Sequence, residues 1–563
     1  MAIVLYVLTA ISLAWLLAFL LGRRLSKVWL ILLGVSPVVL IYVLNPEFRV
    51  YSFHSFMHAG IVYQILNGNI PPPDPLLAGH VTAYPWGAHL VAAGISRLGN
   101  VTPFLAIAIM NVGSLVLVMI LIYKISQFLI DDEKTNILSV VISIYGITFM
   151  NPSFMKLLGA GIPTEFRGVP ILLKFITINV LPLGLVAFLL FVYSVLRLEK
   201  TGRAIPNVPI LLVSILGVGY VYPAFLPGVG VSLALAWIAS LVCFKREAVR
   251  WNLSTLAFTT ATLIVAVLAV RPYLASMTAG TVNQMQVFSG RMVAANLKKY
   301  AVVAVPILVV LLANYRAFRR VDPKALLFLV IVVVSTAGAY LAIHLNMDNE
   351  YKFLLLSTVT LGILGGVAFG QLAQRFRGLR AIAVFILLAL FLFPTFRFVK
   401  LKLVQERAGR PSQAFVEKGR SIRSTDGEAD QFYQWIKANT DRRSAFIDRE
   451  LEIPTLAERA LFIGIGSREP GQRKGFGPVD MILRLQSGYP ARLLDTRTTI
   501  VDKVYTGRQP LKPAELEEVR SLRDGLYVVA RTTGEPTALD TTMFRKVFAS
   551  SQGNLNLYEL NPR

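Results

Sequence analysis

Four of the five histidines in this 563-residue chain, His54, His58, His80 and His89, lie close together in one polar stretch. His54 and His58 stand four residues apart in a run that reads as helix, so both imidazoles fall on one helix face. Such a pair serves in two-histidine metal sites, but no acid follows between Ser52 and Gly60 to complete one. Hydrogen bonding to a phosphate or a sugar is the better reading. No metal ligand set and no certain cofactor is assigned, although a divalent ion would suit the histidine spacing. Two carboxylates nearby could accept a proton from an attacking hydroxyl, Glu47 at the start of the stretch and Asp74 between prolines. Tyr84 and Trp86 are amphipathic rings that suit a membrane interface or stack on a sugar face. Arg167, Lys174, Arg291 and Lys352, with Glu350 beside the last, supply charge at the ends of apolar runs. A guanidinium or ammonium there can neutralise a phosphate.

The elements that must position these groups are membrane helices. Of all residues 55% are hydrophobic and only 16% charged, and the apolar residues come in blocks long enough to cross a bilayer, about 20 residues each. Spans are expected near 3–21, 28–44, 102–130, 136–151, 175–197, 207–223, 225–244, 253–271, 300–315, 325–344, 352–371 and 380–397. Pro223 and Pro227 interrupt the middle of this series and mark a re-entry point between two helices. Every second loop is basic, from Arg23, Arg24 and Lys27 through Arg375, Arg377 and Arg380, with the Asp131–Lys134 loop the weakest. Basic loops stay cytoplasmic, so twelve spans with both termini outside are expected. No basic residues precede the first apolar run and no small-residue cleavage site follows it, so it reads as a span and not a cleaved signal. The net charge of +24 resides in these loops and in the tail. It therefore speaks for membrane lipids and lipid-linked phosphates as partners, and against nucleic acid. Cys243 is the only cysteine, which excludes an intrachain disulfide.

Two regions follow. Residues 1–398 form the transmembrane part, all-α, with a long first outer loop at 45–101. Residues 399–563 form an extracytoplasmic domain in which short β-rich runs, Ser444–Ile447, Leu461–Ile465, Leu526–Ala530 and Leu555–Leu560, alternate with helical patterns near 427–438, 479–487 and 513–522. That alternation reads as a small α/β domain. It holds no Gly-rich phosphate loop and no nucleophile elbow.

Within the first loop, a histidine-bearing helix is followed by Gly68-x-Ile70-Pro71-Pro72-x-Asp74-Pro75, then Ala78-Gly79, then Tyr84-Pro85-Trp86-Gly87-x-His89. This pattern resembles the first outer loop of GT-C class membrane glycosyltransferases, which use polyprenyl-phosphate sugars. The motif covers about fifty residues, and the hydrophobic layout agrees over the rest. Arg167-Gly-Val-Pro with Lys174-Phe175, and Asn349-Glu350-Tyr351-Lys352-Phe353, look like further elements of that class. The resemblance implies a glycosyltransferase of a prokaryotic cell membrane and envelope that moves a hexose or pentose from a polyprenyl-phosphate donor to a glycan, lipid or protein acceptor on the outer face. It implies an outer-loop acid as base, basic residues on the departing phosphate, and inversion at the anomeric carbon. Many members carry an acid pair at the first outer helix, and this chain has none. Glu47 and Asp74 are its candidates. A transporter or flippase of a lipid-linked glycan or polar solute also fits twelve spans and a charged outer vestibule, and a catalytically inactive assembly partner fits the missing acid pair. Against transport, the two halves show no paired, broken short segments.

Overall fold

In the computed structural model, the structure describes residues 27–44, 53–146, 171–202, 204–242, 251–277, 286–287, 290–344, 350–375, 415–464, 483, 489–506, 510–522, 525–531 and 543–561. The expected spans at 3–21 and 380–397, and with them Glu47 and Arg167, lie outside the described residues. The chain divides into two compact units: Met1–Pro46 with Asn111–Arg271 and Met285–Arg410, and Glu47–Met110 with Pro272–Gln284 and Pro411–Arg563. Most of the long first loop, from Glu47, thus belongs to the same unit as the C-terminal region.

The chain is a multi-pass membrane protein. Six helices among the described residues are long and apolar enough to span: Pro103–Leu129, Leu181–Thr201, Pro223–Val242, Leu253–Met277, Pro323–Ala342 and Tyr351–Gln374. Lys27–Leu44, Ala204–Val221 and Gly290–Ala313 are further apolar helices. Near the expected re-entry, Ala204–Val221 and Leu226–Val242 are separate helices joined by a single 3-10 turn, Pro223–Phe225. Proline cannot donate to the preceding turn, so the helix stops there. The expected span at 136–151 begins as a short helix, Glu133–Val141, that opens into a π-helical turn at Ile142–Gly146. Its start explains the acidic loop before it, because Asp132 caps the helix by accepting the Thr135 amide at 2.8 Å.

Helix Tyr351–Arg375 packs against Glu133–Val141 through small residues. A methyl group on Gly366 would run into the Ser139 backbone, and one on Gly370 would meet the Thr135 Cβ at 2.8 Å. The glycines sit four apart on one face and let the two backbones touch. Ser139 and Ser143 then donate to the carbonyls of Ile363 and Val359, each at 3.1 Å. Those hydroxyls find acceptors without water, as an apolar solvent requires.

The second unit carries a five-stranded mixed sheet in the spatial order 460–461, 445–447, 526–531, 555–560, 544–549. The first three strands are parallel, and the last two run antiparallel to their neighbours. Ala445–Ile447 and Leu526–Arg531 are almost wholly buried, as central strands covered on both faces must be. Helices Gly427–Asn439, Ala491–Thr506 and Pro513–Arg520 accompany them, and a hairpin, Phe415–Lys418 with Ser421–Ser424, precedes them. Three of the four expected strands and two of the three expected helices are present; the fourth run, Leu461–Ile465, is strand only at Leu461, within Ala460–Leu461. The third helical pattern, 479–487, falls outside the described residues except for Leu483. Helix Ala491–Thr506 and strand Phe544–Ala549 are additions that the hydropathy pattern did not suggest.

Candidate functional site

In the second unit, helix Phe53–Leu66 carries His58 and helix Gly87–Gly99 carries His89. Both side chains are fully buried. Their rings stack with centroids 5.1 Å apart, and His58 Nδ1 lies 2.8 Å from His89 Nε2. Tyr84 closes the group edge-on, 5.3 Å from His58 and 6.0 Å from His89. Burial pushes the His89 imidazole down to about 3, outweighing the Pro85 and Trp86 carbonyls that favour its charged form. At neutral pH His89 is therefore an uncharged ring that shares one proton with His58. The pair offers no surface to a substrate as it stands, so it acts by fixing the two helices to each other. His54 lies on the same helix as His58; its side chain is outside the described residues. Trp86 stacks edge-on against Tyr273 at 5.1 Å, and the Tyr273 hydroxyl accepts the Gly87 amide at 3.0 Å. Trp86 remains partly exposed at the start of the second helix.

The loop between these helices folds back on itself. The Asp74 amide donates to the His80 carbonyl at 2.7 Å, and the Thr82 amide to the Pro72 carbonyl at 3.0 Å. The Asp74 carboxyl is 4% exposed. Its Oδ1 accepts the Leu76 amide at 2.8 Å and its Oδ2 accepts the Tyr489 hydroxyl at 2.8 Å. Both oxygens are thus engaged in holding the loop. Burial raises this carboxyl to about 6, against the pull of those hydrogen bonds. The Tyr489 hydroxyl also lies 2.9 Å from the Val81 carbonyl, and burial raises its own pKa. With one proton it serves one acceptor at a time. Ionised Asp74 takes that proton; protonated Asp74 donates instead, and Tyr489 turns to Val81.

The C-terminal region holds the same loop from its other side. Ala78 donates to the Leu461 carbonyl at 2.7 Å, Leu461 to Pro75 at 2.9 Å, and Gly464 to Leu76 at 2.7 Å. Residues 75–78 therefore lie along the Ala460–Leu461 edge strand as a short extra strand would. Arg497 pins them. Its Nη1 donates to the Ala78 and Phe462 carbonyls at 2.7 Å each, and its Nε to Glu518 at 2.8 Å. Sequence reading missed Arg497 and Tyr489. The only signal for Arg497 is its place on the otherwise apolar face of helix Ala491–Thr506. His80 sits apart from the histidine pair, half-buried with its ring 5.8 Å from Tyr489. Burial and then the Arg497 guanidinium keep it below the usual imidazole range.

In the first unit, Lys174 and Lys352 flank Tyr351. Lys174 Nζ donates to the Tyr351 hydroxyl at 3.1 Å and lies 4.5 Å from its ring centre. Lys352 is buried, with Nζ 5.0 Å from the centre of the Tyr222 ring. Aromatic faces attract such cations most strongly where water is excluded. Glu350 is buried immediately before helix Tyr351–Arg375, whose N-terminus favours an acid. Lys174 belongs to the short helix Leu173–Ile176 and Lys352 to the first turn of Tyr351–Arg375, and ionisable side chains in a membrane protein are costly to bury. Arg291 lies in helix Gly290–Ala313, with its side chain outside the described residues, as is all of Arg167. Among the described residues no group of three or more His, Cys, Asp or Glu could hold a metal ion.

No family model and no curated protein sequence matches the chain. Solved structures do. The chain is similar to ArnT from Cupriavidus metallidurans bound to undecaprenyl phosphate, with a TM-score of 0.54 at 11% identity, over 96% of this chain and 100% of that one. It is also similar to the oligosaccharyltransferase of Archaeoglobus fulgidus in its apo form, with a TM-score of 0.45 at 11% identity, over 88% of this chain and 69% of that one. The ArnT likeness, over 96% of this chain and all of that one, shows the fold: this chain folds as ArnT does.

Proposed function

We propose that this protein transfers a sugar from a polyprenyl-phosphate donor to a glycan, lipid or protein acceptor on the outer face of a prokaryotic cell membrane. The observation that carries this reading is the likeness over the full length to a structure that holds undecaprenyl phosphate. The lysine pair around Tyr351 supports it, because two ammonium groups beside one tyrosine suit a phosphate. Twelve spans, with both termini and the C-terminal domain outside, go with this reading.

The chemistry is a single displacement. The acceptor hydroxyl oxygen attacks the anomeric carbon while the bond from that carbon to the phosphate oxygen breaks. Glu47 takes the hydroxyl proton, and the lipid phosphate leaves with the bonding electron pair. Lys174 and Lys352, with Arg167 and Arg291, neutralise the charge that develops on it. Attack from the face opposite the phosphate inverts the anomeric centre. Trp86 and His54 contact the sugar, and Glu350 orients the lysine beside it. Asp74, Tyr84, His58 and His89 are positioning residues that set the loop.

The test is transfer in reconstituted vesicles. Undecaprenyl phosphate carrying a radiolabelled hexose or pentose is supplied with a panel of acceptors. Label should pass into covalent product and free undecaprenyl phosphate should accumulate. Counterflow of the lipid-linked sugar with no covalent product would establish transport instead.

A further inference from the structure

The second unit contains a cavity of about 580 Å³ that the transfer reaction leaves unused. Its size is that of a small-molecule site, roughly 300–1,000 Å³. One wall is the Gly68–Pro73 loop, another is Gly79–Val81 with His80, and a third is the adjacent pair Arg442 and Arg443. Both arginines are exposed, and neither makes an ion pair among the described residues. Among the described residues, no aspartate or glutamate lines the cavity. Two guanidinium groups without a carboxylate to answer them create a field that selects anions, and their forked donors fit carboxylate and phosphate oxygens.

The rest of the lining adds a second chemistry. Asn69 donates to the Gln64 side-chain oxygen at 3.0 Å, which fixes two carboxamides at one end of the cavity. His80 contributes an imidazole whose charged form is disfavoured by burial and then by the Arg497 guanidinium. These are groups that exchange hydrogen bonds with hydroxyls. Ile70 and Val81 stand 61% and 36% exposed at the same cavity, apolar faces against which the C–H side of a sugar ring can lie. The wall is also built to a fixed shape. Gly79 has φ +80°, which favours glycine, and a methyl group there would come within 2.9 Å of Leu522 Cδ2.

We infer that this cavity binds an anionic saccharide, a sugar bearing a carboxylate or a phosphate, with Arg442 and Arg443 on the anionic group and Gln64, Asn69 and His80 on the hydroxyls. The inference stands on this cavity alone and survives or fails independently of sugar transfer. It is tested by binding, on the full chain in nanodiscs of zwitterionic lipid. The probes are glucuronate, glucose 1-phosphate, glucose and inorganic phosphate. Glucuronate and glucose 1-phosphate should each bind at least tenfold tighter than glucose, and glucose 1-phosphate at least tenfold tighter than inorganic phosphate. The double variant Arg442→Gln/Arg443→Gln should lose at least tenfold. The control Arg545→Gln/Lys546→Gln, which removes the same charge from strand Phe544–Ala549, should change nothing. Leu522→Trp keeps both arginines and fills the cavity, and should abolish binding. Equal affinity for glucose, inorganic phosphate as tight as the sugar phosphate, or binding unaffected by the arginine pair or by Leu522→Trp overturns the inference.

Discussion

Two buried titratable residues in the first loop respond to pH with opposite signs, and each can be read in isolation. Asp74 is raised in the folded protein from 3.8 to about 6. The folded state therefore binds more protons than the unfolded state between those values. Its contribution is full below pH 3.8 and is lost as pH rises through about 6, a span of about 3 kcal/mol by linkage. Asp74→Asn removes this dependence, so the variant should gain stability relative to the parent as pH is raised from 4 to 7. Melting temperatures of both proteins at several pH values check it; a constant difference would contradict the assignment. His89 is depressed from 6.5 to about 3, so its contribution is present above pH 6.5 and lost as pH falls through about 3. At the lysine pair, Lys174→Gln and Lys352→Gln should each weaken undecaprenyl phosphate binding by about ten- to hundredfold, the worth of a charge-assisted hydrogen bond. Unchanged binding in both folded variants would remove the phosphate role from Tyr351's neighbours.

At the scale of elements, two contacts decide the packing. Gly366→Val would drive a side chain into the Ser139 backbone, where nothing flexible can give way. Overpacking commonly costs about 1–3 kcal/mol. The variant should yield less monodisperse protein in detergent, while Gly338→Val, at a position where an added Cβ meets no heavy atom within 4 Å, should not. Arg497→Met would leave the buried Ala78 and Phe462 carbonyls short of a donor. Each such loss is worth about 1–3 kcal/mol, and limited proteolysis should then cut the 75–82 loop first. These same contacts show what the sequence could and could not tell. Helices such as Pro103–Leu129 and Pro323–Ala342 announce themselves by length and apolarity alone. Helix Ala491–Thr506 does not, because its threonines and valines favour strands and its buried face includes a charged residue. The histidine cluster was visible as a cluster. Its division into a stacked pair, His58 with His89, and a separate cavity residue, His80, depends on backbone folding that no spacing rule encodes. Tyr489 and Arg497 hold the loop from more than four hundred residues away, beyond the reach of any local pattern.

For the whole molecule, the alternation of basic loops fixes a testable orientation. A reporter fused after Arg380 should be cytoplasmic and one fused after Arg410 should be outside; the same side for both would remove the twelve-span arrangement. The central claim concerns the bond that is made and broken. The most direct measurement follows label from undecaprenyl-phosphate-linked sugar in vesicles containing the parent protein or Glu47→Gln. The parent should form a covalent glycosylated product with inverted anomeric configuration and release undecaprenyl phosphate one for one. Glu47→Gln should slow this by about 10²–10⁴, the usual contribution of a positioned base. Label that crosses the membrane still joined to its lipid, with no product in either protein, would contradict the account.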